Sequence, residues 1–348
     1  MYQGEYRLGG GELSFFTRKL EAQLRFQRVP WSWHLKTAER AAEIDSRVAT
    51  HFIPVLETPD GWMIHDTISI GPMLSDRFSD FSVIPDSPLQ RATTFILEDF
   101  FNHWLGRFCV HTRWCYPDNV DWVGLRLASN IILGRSMDIP LNEKETSKFS
   151  DFGQTMYQQF GKQVCEYNGV QADSADAVKA EFGDLLDAVC QHLSQHEYML
   201  GARPCLADFA LAGACKAHFI TDPEPLAWLG THKSLLVAYT NKFFEPPTSL
   251  PGPWEPGDKV PESLAPVLDY MRSTYIASAR ANIEAGVRGE KYYECDFGYG
   301  PSKARTQRRL NKARLHVRDE LSRIGADSHE EIDRVFGTRG ILDHYMKD

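Results

Sequence analysis

Ser14 occupies a position where a hydroxyl group could stabilise a bound anion. It follows a glycine-rich loop, Gly9–Gly11, and opens a predicted helix over Ser14–Phe26. A hydroxyl and the free N–H groups of a first helical turn favour a negative charge, and such a position lowers the pKa of a bound thiol. The segment therefore indicates a site for a thiolate, although serine is equally a common helix N-cap.

A proline interrupts an apolar strand in the segment Ile53-Pro54-Val55-Leu56. Proline in a strand fits either an edge position or a cis peptide bond, and it donates no backbone hydrogen bond. In either case the backbone of the preceding residue, Ile53, is left free to pair with a ligand. An ordinary edge strand is the alternative interpretation.

The third segment is His65-Asp66-Thr67, at the start of the next predicted helix, Ile68–Phe78. A carboxylate can hold an ammonium group, while a hydroxyl and helix N–H groups can hold a carboxylate. This combination matches the zwitterionic end of a γ-glutamyl group. A simple capping pair is the alternative.

The elements that carry these segments alternate between strands and helices over the first 85 residues. A turn, Thr58-Pro-Asp-Gly61, joins the last two strands as a hairpin. The predicted order is therefore β-α-β-α-β-β-α. The predicted strands are Tyr6–Leu8, Val29–Trp33, Phe52–Leu56 and Met63–His65.

Helical periodicity dominates the chain beyond a proline-containing linker, Asp80–Pro88. A proline-rich stretch, Pro246–Pro261, predicts an extended surface crossing before further helices. The predicted helices cover 89–115, 120–134, 143–167, 174–198, 206–219, 231–244, 262–286, 301–324 and 328–346.

The order of Ser14-x-x-Thr17, Ile53-Pro54-Val55-Leu56 and Asp66-Thr67 resembles the glutathione transferase family. The segment Met199–Phe209, a glycine turn followed by a helix with Ala-Asp, is similar to the C-terminal signature of that family. Here Cys205 replaces the usual capping hydroxyl, so this helix loses up to about 1 kcal/mol unless Asp208 compensates.

The resemblance implies an α/β thioredoxin-like N-terminal domain and an all-α C-terminal domain, the glutathione transferase architecture. The expected boundaries are 1–84 for the glutathione-binding domain and 85–245 for the helical domain. Residues 246–348 would form a proline-rich crossing and a helical extension, for which the family offers no counterpart.

The resemblance also implies a role for each segment in binding glutathione as a co-substrate. Ser14 would donate a hydrogen bond to the thiolate, with Thr17 and Tyr6 as alternatives, because classes of the family differ in this residue. The expected glutathione-binding residues are Lys36 and His51 at the glycyl carboxylate, Ile53 and Pro54 at the cysteinyl unit, and Asp66 and Thr67 at the γ-glutamyl end.

A second-substrate pocket is expected between the two domains. Trp104, Arg107, His111 and Trp114 follow one another at offsets of 3, 4 and 3 and share one helix face. In the family the corresponding helix borders this pocket, so these residues and Phe15 are candidates for lining it. Aromatic residues on a helix also commonly pack in a core.

Charge and composition narrow the class of protein. The formal charge of −9 disfavours nucleic acid as a partner, although a basic C-terminal helix leaves that alternative open. No run of 18 apolar residues or secretory signal is present, so we expect a cytoplasmic protein without membrane segments. The seven cysteines are scattered without a Cys-x-x-Cys pair, and His192 and His196 lack a third ligand, so no metal is expected.

The resemblance therefore implies a homodimeric transferase of alkyl or aryl groups that directs glutathione thiolate at a small hydrophobic electrophile. The alternative is a glutathione-binding or structural interaction protein on the same scaffold, since a fold does not determine a function.

Overall fold

Four strands at the N-terminus form a mixed sheet in the order β2-β1-β3-β4. The computed structural model describes residues 4–246, 248–249, 251–325 and 328–347. The strands and helices alternate as the sequence predicts, which confirms the thioredoxin-like architecture. The elements are β1 (Tyr6–Gly10), α1 (Phe15–Phe26), β2 (Trp31–Leu35), α2 (Ala38–Val48), β3 (Val55–Glu57), β4 (Met63–His65) and α3 (Thr67–Arg77).

The second region is helical. Its longest helix, α4, begins at Pro88, where proline at the first helical position needs no N–H partner. The helices are α4 (Pro88–Trp114), α5 (Pro117–Ile131), α6 (Glu143–Lys148), α7 (Phe152–Met156), α8 (Lys162–Asn168), α9 (Ala175–Leu193), α10 (Leu206–Ala214), α11 (Pro223–Trp228) and α12 (Lys233–Phe244). π-Helical segments extend α7 and α10, at Tyr157–Gly161 and Cys215–Phe219.

The C-terminal extension combines helices with a hairpin. Its elements are α13 (Ala265–Met271), α14 (Ala277–Val287), β5 (Tyr292–Asp296), β6 (Pro301–Arg305), α15 (Arg308–Ser322), α16 (His329–Ile332) and α17 (Ile341–Met346). The predicted helix over 301–324 is wrong at its start, because 301–305 pairs with β5 in an antiparallel hairpin. Gly298 and Gly300, both at φ +100°, form the turn.

The proline-rich crossing lies between the helical region and the extension. Within its described part, Gly201 forms an isolated bridge with Trp254, and Glu255 N–H donates to the Leu200 carbonyl at 2.8 Å. Residues 247 and 250 lie outside the described residues. This bridge fastens the crossing to the glycine turn before α10.

The extension packs against α4 through a buried carboxylate. Asp99 accepts hydrogen bonds from the hydroxyls of Tyr275, at 2.7 Å, and Tyr345, at 2.8 Å. All three residues are buried, and one continuous apolar core includes side chains of the helical region and of the extension. The domain boundaries at residues 84 and 245 therefore stay predictions.

Asp208 supplies the cap that Cys205 lacks. Its carboxylate accepts from the backbone N–H groups of Cys205, at 2.8 Å, and Met199, at 2.9 Å, and from the Tyr239 hydroxyl, at 2.8 Å. The carboxylate is fully buried, and burial raises its pKa from the ordinary value of 3.8 to about 6. The carboxylate thus ties the turn before α10, the start of α10 and α12 together.

Replacing Asp208 by asparagine is expected to lower the free energy of unfolding at pH 7 by about 1–3 kcal/mol. The amide nitrogen of asparagine cannot accept, so one of the three buried donors loses its partner. Urea unfolding with Tyr239→Phe as the control measures this, since that change removes a hydroxyl donor and leaves no backbone N–H without an acceptor. An equal loss in both variants would contradict the capping role.

The pH dependence of Asp208 has a definite sign. Since the folded pKa is raised to about 6, the folded state holds a proton that the unfolded state loses between pH 4 and 6. Stability therefore falls as pH rises through this window, and Asp208→Asn removes that contribution.

No helix within the described ranges contains an apolar stretch long enough to cross a membrane. The same residues also include no group of three or more histidine, cysteine, aspartate or glutamate side chains placed to hold a metal ion.

Candidate functional site

One edge of the four-stranded sheet brings the three predicted segments together. Gly9 of β1 pairs with Val55 at the start of β3, and Val55 pairs with His65 at the end of β4. The chain therefore leaves β1 toward Ser14, enters β3 from Ile53 and leaves β4 into Asp66 at one edge. Strand pairing alone, with neighbouring strands about 4.8 Å apart, makes these segments neighbours.

Ser14 caps α1 and keeps its own hydroxyl proton available. Its Oγ accepts from the Thr17 backbone N–H at 3.3 Å, and its side chain is partly exposed. No acceptor for the Ser14 O–H is found in the described part of the chain. The backbone N–H groups of Phe15 and Phe16 also lack partners there, as expected in the first turn of a helix. This arrangement can donate to a bound anion.

Thr17 and Tyr6, the two alternatives to Ser14, point into the protein. Both are fully buried. The Tyr6 hydroxyl accepts from Arg77 at 3.1 Å, and its ring packs on Phe78 inside the N-terminal core. The Thr17 hydroxyl lies against Gly10, where an added Cβ would approach it to 2.5 Å. Of the three hydroxyls, Ser14 is the one that reaches the surface.

The Ile53–Pro54 peptide bond is cis, one of the two forms that the sequence predicts. Ile53 precedes β3 and makes no ladder contact, so its N–H and C=O are without hydrogen-bond partners among the described residues. Its side chain lies near Gly11, 3.9 Å from the position of a Cβ there. An extended peptide could pair with this backbone next to Ser14.

Asp66 caps α3 from a left-handed backbone conformation, φ +76°. Its carboxylate is exposed and accepts from Ile68 N–H at 3.1 Å. Non-glycine residues rarely adopt positive φ, and such conformations are concentrated at functional sites. The backbone thus presents a carboxylate at the sheet edge.

The Thr67 hydroxyl, which we expected to hold a ligand carboxylate, points into the protein. The Thr67 side chain is buried, and its hydroxyl accepts from Lys19 at 3.3 Å. Lys19 is itself buried and paired with Glu98 of α4 at 2.5 Å. The backbone N–H of Thr67 is unpaired within the described residues, so this N–H rather than the hydroxyl is the group that remains for a ligand.

Lys36 and His51 lie next to each other at the same edge. Lys36 N–H donates to the Gly10 carbonyl at 2.9 Å, and Lys36 Nζ donates to the His51 carbonyl at 2.9 Å. The Lys36 ammonium also forms an ion pair with Asp45. One of the three N–H donors of the Lys36 ammonium therefore remains for a ligand. The exposed His51 ring adds a second polar group at this edge.

The five residues predicted to line a second-substrate pocket are buried, each with at most 5% of its surface exposed. Trp104 donates to the Tyr270 hydroxyl of the extension at 3.1 Å, and Arg107 forms a two-pronged pair with Glu181. The extension covers α4 at Trp104 and Arg107, whereas His111 packs against Tyr116 and Trp228 of the helical region. The lining role of these residues therefore stays a prediction. The five are Phe15, Trp104, Arg107, His111 and Trp114.

Buried charges that the sequence analysis missed hold the loop before Ser14. Arg113 donates to the Leu13 carbonyl at 2.5 Å and forms an ion pair with Asp222 at 2.8 Å. Glu12 accepts from Asn130 at 3.0 Å and donates its N–H to the same side chain at 2.8 Å. No motif marks these residues, and the sequence signal of Arg113 is a charge within the largely apolar pattern of α4.

Residues 154–247 match the family model described as glutathione S-transferase, C-terminal domain. This part of the chain is a glutathione S-transferase C-terminal domain. The match begins within α7, runs through α12 and confirms the resemblance that the Met199–Phe209 segment indicates. In this glutathione S-transferase domain the Asp208 cap and the glycine turn before it are the conspicuous local features.

Three solved structures illustrate the similarity of the chain to known proteins. One is a glutathione S-transferase from Methylobacterium radiotolerans in complex with glutathione sulfonate, with a TM-score of 0.41 at 16% identity, covering 74% of this chain and 100% of that chain. Another, from Ceriporiopsis subvermispora in complex with glutathione, has a TM-score of 0.44 at 13% identity, covering 70% and 100%.

The third is FzlA from C. crescentus, with a TM-score of 0.42 at 15% identity, covering 76% of this chain and 99% of that chain. No curated protein matches the chain. The family assignment therefore depends on the match of residues 154–247 and on the architecture described above.

Proposed function

We propose that this protein binds reduced glutathione at the sheet edge and directs its thiolate at a small hydrophobic electrophile. The supporting observation is the convergence of Ser14, Ile53 and Asp66, which strand pairing brings to one edge. Each offers a group that lacks a partner in the described chain or is exposed to solvent. A tripeptide with a thiol, an ammonium and two carboxylates is complementary to this set.

The thiol would lie at the start of α1. The Ser14 hydroxyl and the N–H groups of Phe15 and Phe16 are donors there, and the positive end of the helix dipole favours the thiolate. Ser14 would stabilise this charge and would not itself act as a nucleophile. A thiolate held this way can displace a leaving group from an alkyl or aryl electrophile.

The two ends of glutathione would occupy the neighbouring segments. The γ-glutamyl ammonium would pair with Asp66, and the α-carboxylate would accept from Thr67 N–H at the start of α3. The cysteinyl backbone would pair with Ile53, beside Pro54, and the glycyl carboxylate would meet Lys36 and His51.

Replacing Asp66 by asparagine is expected to weaken glutathione binding about 10-fold or more. Asparagine tolerates positive φ and can still cap α3, so the fold is retained while the charge is lost. A hydrogen bond to a charged group contributes about 1.5–3 kcal/mol. Calorimetric titration measures the change, and unaltered affinity in this variant would contradict the assigned γ-glutamyl position.

Titration of the protein with reduced glutathione tests the function itself. We expect saturable binding at one site per chain, and markedly weaker binding of the dipeptide Cys-Gly, which lacks the γ-glutamyl group. No saturable glutathione binding would overturn the proposal. Equal affinity for both peptides would place the site outside the segments named above.

Glutathione binding without activation of its thiol is the outcome that favours a non-catalytic binding protein. Saturable binding with an unshifted thiol pKa would support a non-catalytic glutathione-binding protein. The family resemblance is also the basis for proposing a cytoplasmic homodimer, and sedimentation velocity tests the dimeric state directly.

A further inference from the structure

Cys115 and Cys165 lie side by side beneath the end of α4. Cys115 directly follows that helix, Cys165 belongs to α8, and their Sγ atoms are 3.8 Å apart. A disulfide bond is about 2.0 Å long, so its formation requires an approach of only about 2 Å. No other pair of cysteine sulfurs is in hydrogen-bond contact among the described residues.

The two sulfurs differ in access. Cys115 is half-buried, whereas Cys165 is buried. In the reduced pair the Cys115 thiol points toward the Val170 carbonyl, at 3.3 Å, and the Cys165 thiol toward the Val110 carbonyl, at 3.6 Å. A small reagent from solvent therefore meets Cys115 first.

The surroundings also distinguish their acidity. The hydrogen bond from Cys165 lowers the pKa of the Cys115 thiol, against the opposing effect of burial, and His111 lowers it further. The same contact, with burial, raises the pKa of Cys165. Asp173 acts weakly in the opposite direction on Cys115. Cys115 is thus the better nucleophile, because the thiolate is the reactive form.

We propose that Cys115 and Cys165 form a redox-active dithiol site that small hydroperoxides oxidise to an intramolecular disulfide. This site is separate from the proposed glutathione site and does not depend on that function. A hydroperoxide is the fitting oxidant class, because its terminal oxygen can reach a half-buried sulfur that a bulkier disulfide reagent reaches less readily.

The reaction has two balanced steps. The Cys115 thiolate attacks the terminal peroxide oxygen, so that an S–O bond forms, the O–O bond breaks and the alkoxide leaves as the alcohol after taking a proton. The Cys165 sulfur then attacks the Cys115 sulfenic acid, forming the S–S bond and releasing water with the Cys165 proton. Two thiols and one hydroperoxide give one disulfide, one alcohol and one water.

The test begins with the reduced, full-length protein and one equivalent of hydrogen peroxide. Trypsin places Cys115 in peptide 114–126 and Cys165 in peptide 163–179, each with a single cysteine. We expect non-reducing mass spectrometry to find these peptides linked, with a loss of two free thiols. Absence of this linkage in the natural protein would overturn the proposal without requiring any variant to fold.

Two variants test the order of the steps. In Cys165→Ser the sulfenic acid on Cys115 should persist and be trapped by dimedone, whereas Cys115→Ser should consume peroxide at least 10-fold more slowly. Cys295→Ser is the matched control, because Cys295 is also half-buried but makes no sulfur contact with another cysteine in the described ranges, and burial raises its pKa. A rate in Cys115→Ser equal to that of the natural protein, or a dominant product on Cys295, would refute the site.

Discussion

Replacing Ser14 by alanine is expected to lower kcat for glutathione conjugation by roughly 100-fold, with a much smaller change in the KM for glutathione. Removing one preorganised donor from a developing or bound anion costs about 10²–10³ in rate. The tripeptide keeps its contacts at Ile53 and Asp66, so binding is largely retained. Conjugation of glutathione to an activated chlorodinitrobenzene, followed spectroscopically, measures both constants.

Matched hydroxyl deletions provide the control for Ser14. Thr17→Val and Tyr6→Phe remove hydroxyls that are fully buried in the N-terminal domain, so neither change should alter kcat more than a few-fold. If Tyr6→Phe abolished turnover while Ser14→Ala retained it, the assignment of the activating group would be wrong. Near-UV circular dichroism of each variant separates a catalytic effect from lost packing.

Replacing Arg113 by alanine is expected to lower the free energy of unfolding by about 3–5 kcal/mol, the range for breaking a buried ion pair. Arg113 and Asp222 have 7% and 0% of their side chains exposed. The guanidinium also satisfies the carbonyls of Leu13, at 2.5 Å, and Ala217, at 2.6 Å. Its loss leaves Asp222 buried without its cation and releases the loop that leads to Ser14.

Urea unfolding of four variants, Arg113→Ala, Asp222→Ala, their double variant and Lys303→Ala, tests the role of Arg113. Lys303→Ala is the control, because its partner Glu294 and the lysine itself are mostly exposed, at 66% and 61%, and such pairs contribute at most about 1 kcal/mol. The double variant Arg113→Ala/Asp222→Ala should lose less stability than the sum of the single changes. Strict additivity, or an Arg113→Ala loss below 1 kcal/mol, would contradict a coupled buried pair.

The N-terminal architecture follows from the sequence because its signals are local. Short apolar strands, the Thr58-Pro-Asp-Gly61 turn and the helix starts at Ser14 and Asp66 each fix their own element, and strand pairing then brings the ends together. The hypothesis that Asp208 compensates for Cys205 is confirmed by its bond to the Cys205 N–H. A cap of this kind needs only residues four positions apart or fewer.

Features that local sequence patterns do not reveal depend on contacts distant in sequence. The aromatic face of α4 has the spacing of a pocket wall, and at Trp104 the extension packs on it through Tyr270, 166 positions away. In the hairpin after α14, the strand Pro301–Arg305 has no strong alternation of apolar and polar residues. Its conformation therefore depends on its pairing with β5. The tether from Arg113 to Leu13 likewise appears only once two domains meet.

A pH titration of glutathione bound to the protein, followed by the ultraviolet absorbance of the thiolate, tests directly whether Ser14 stabilises a bound thiolate. A free thiol titrates near pH 8.5, and we expect a midpoint at least about one pH unit lower in the natural protein, returning toward the free value in Ser14→Ala. A midpoint in the natural protein equal to that of free glutathione, or one that Ser14→Ala leaves unchanged, would contradict a thiolate held by Ser14 at this edge of the sheet.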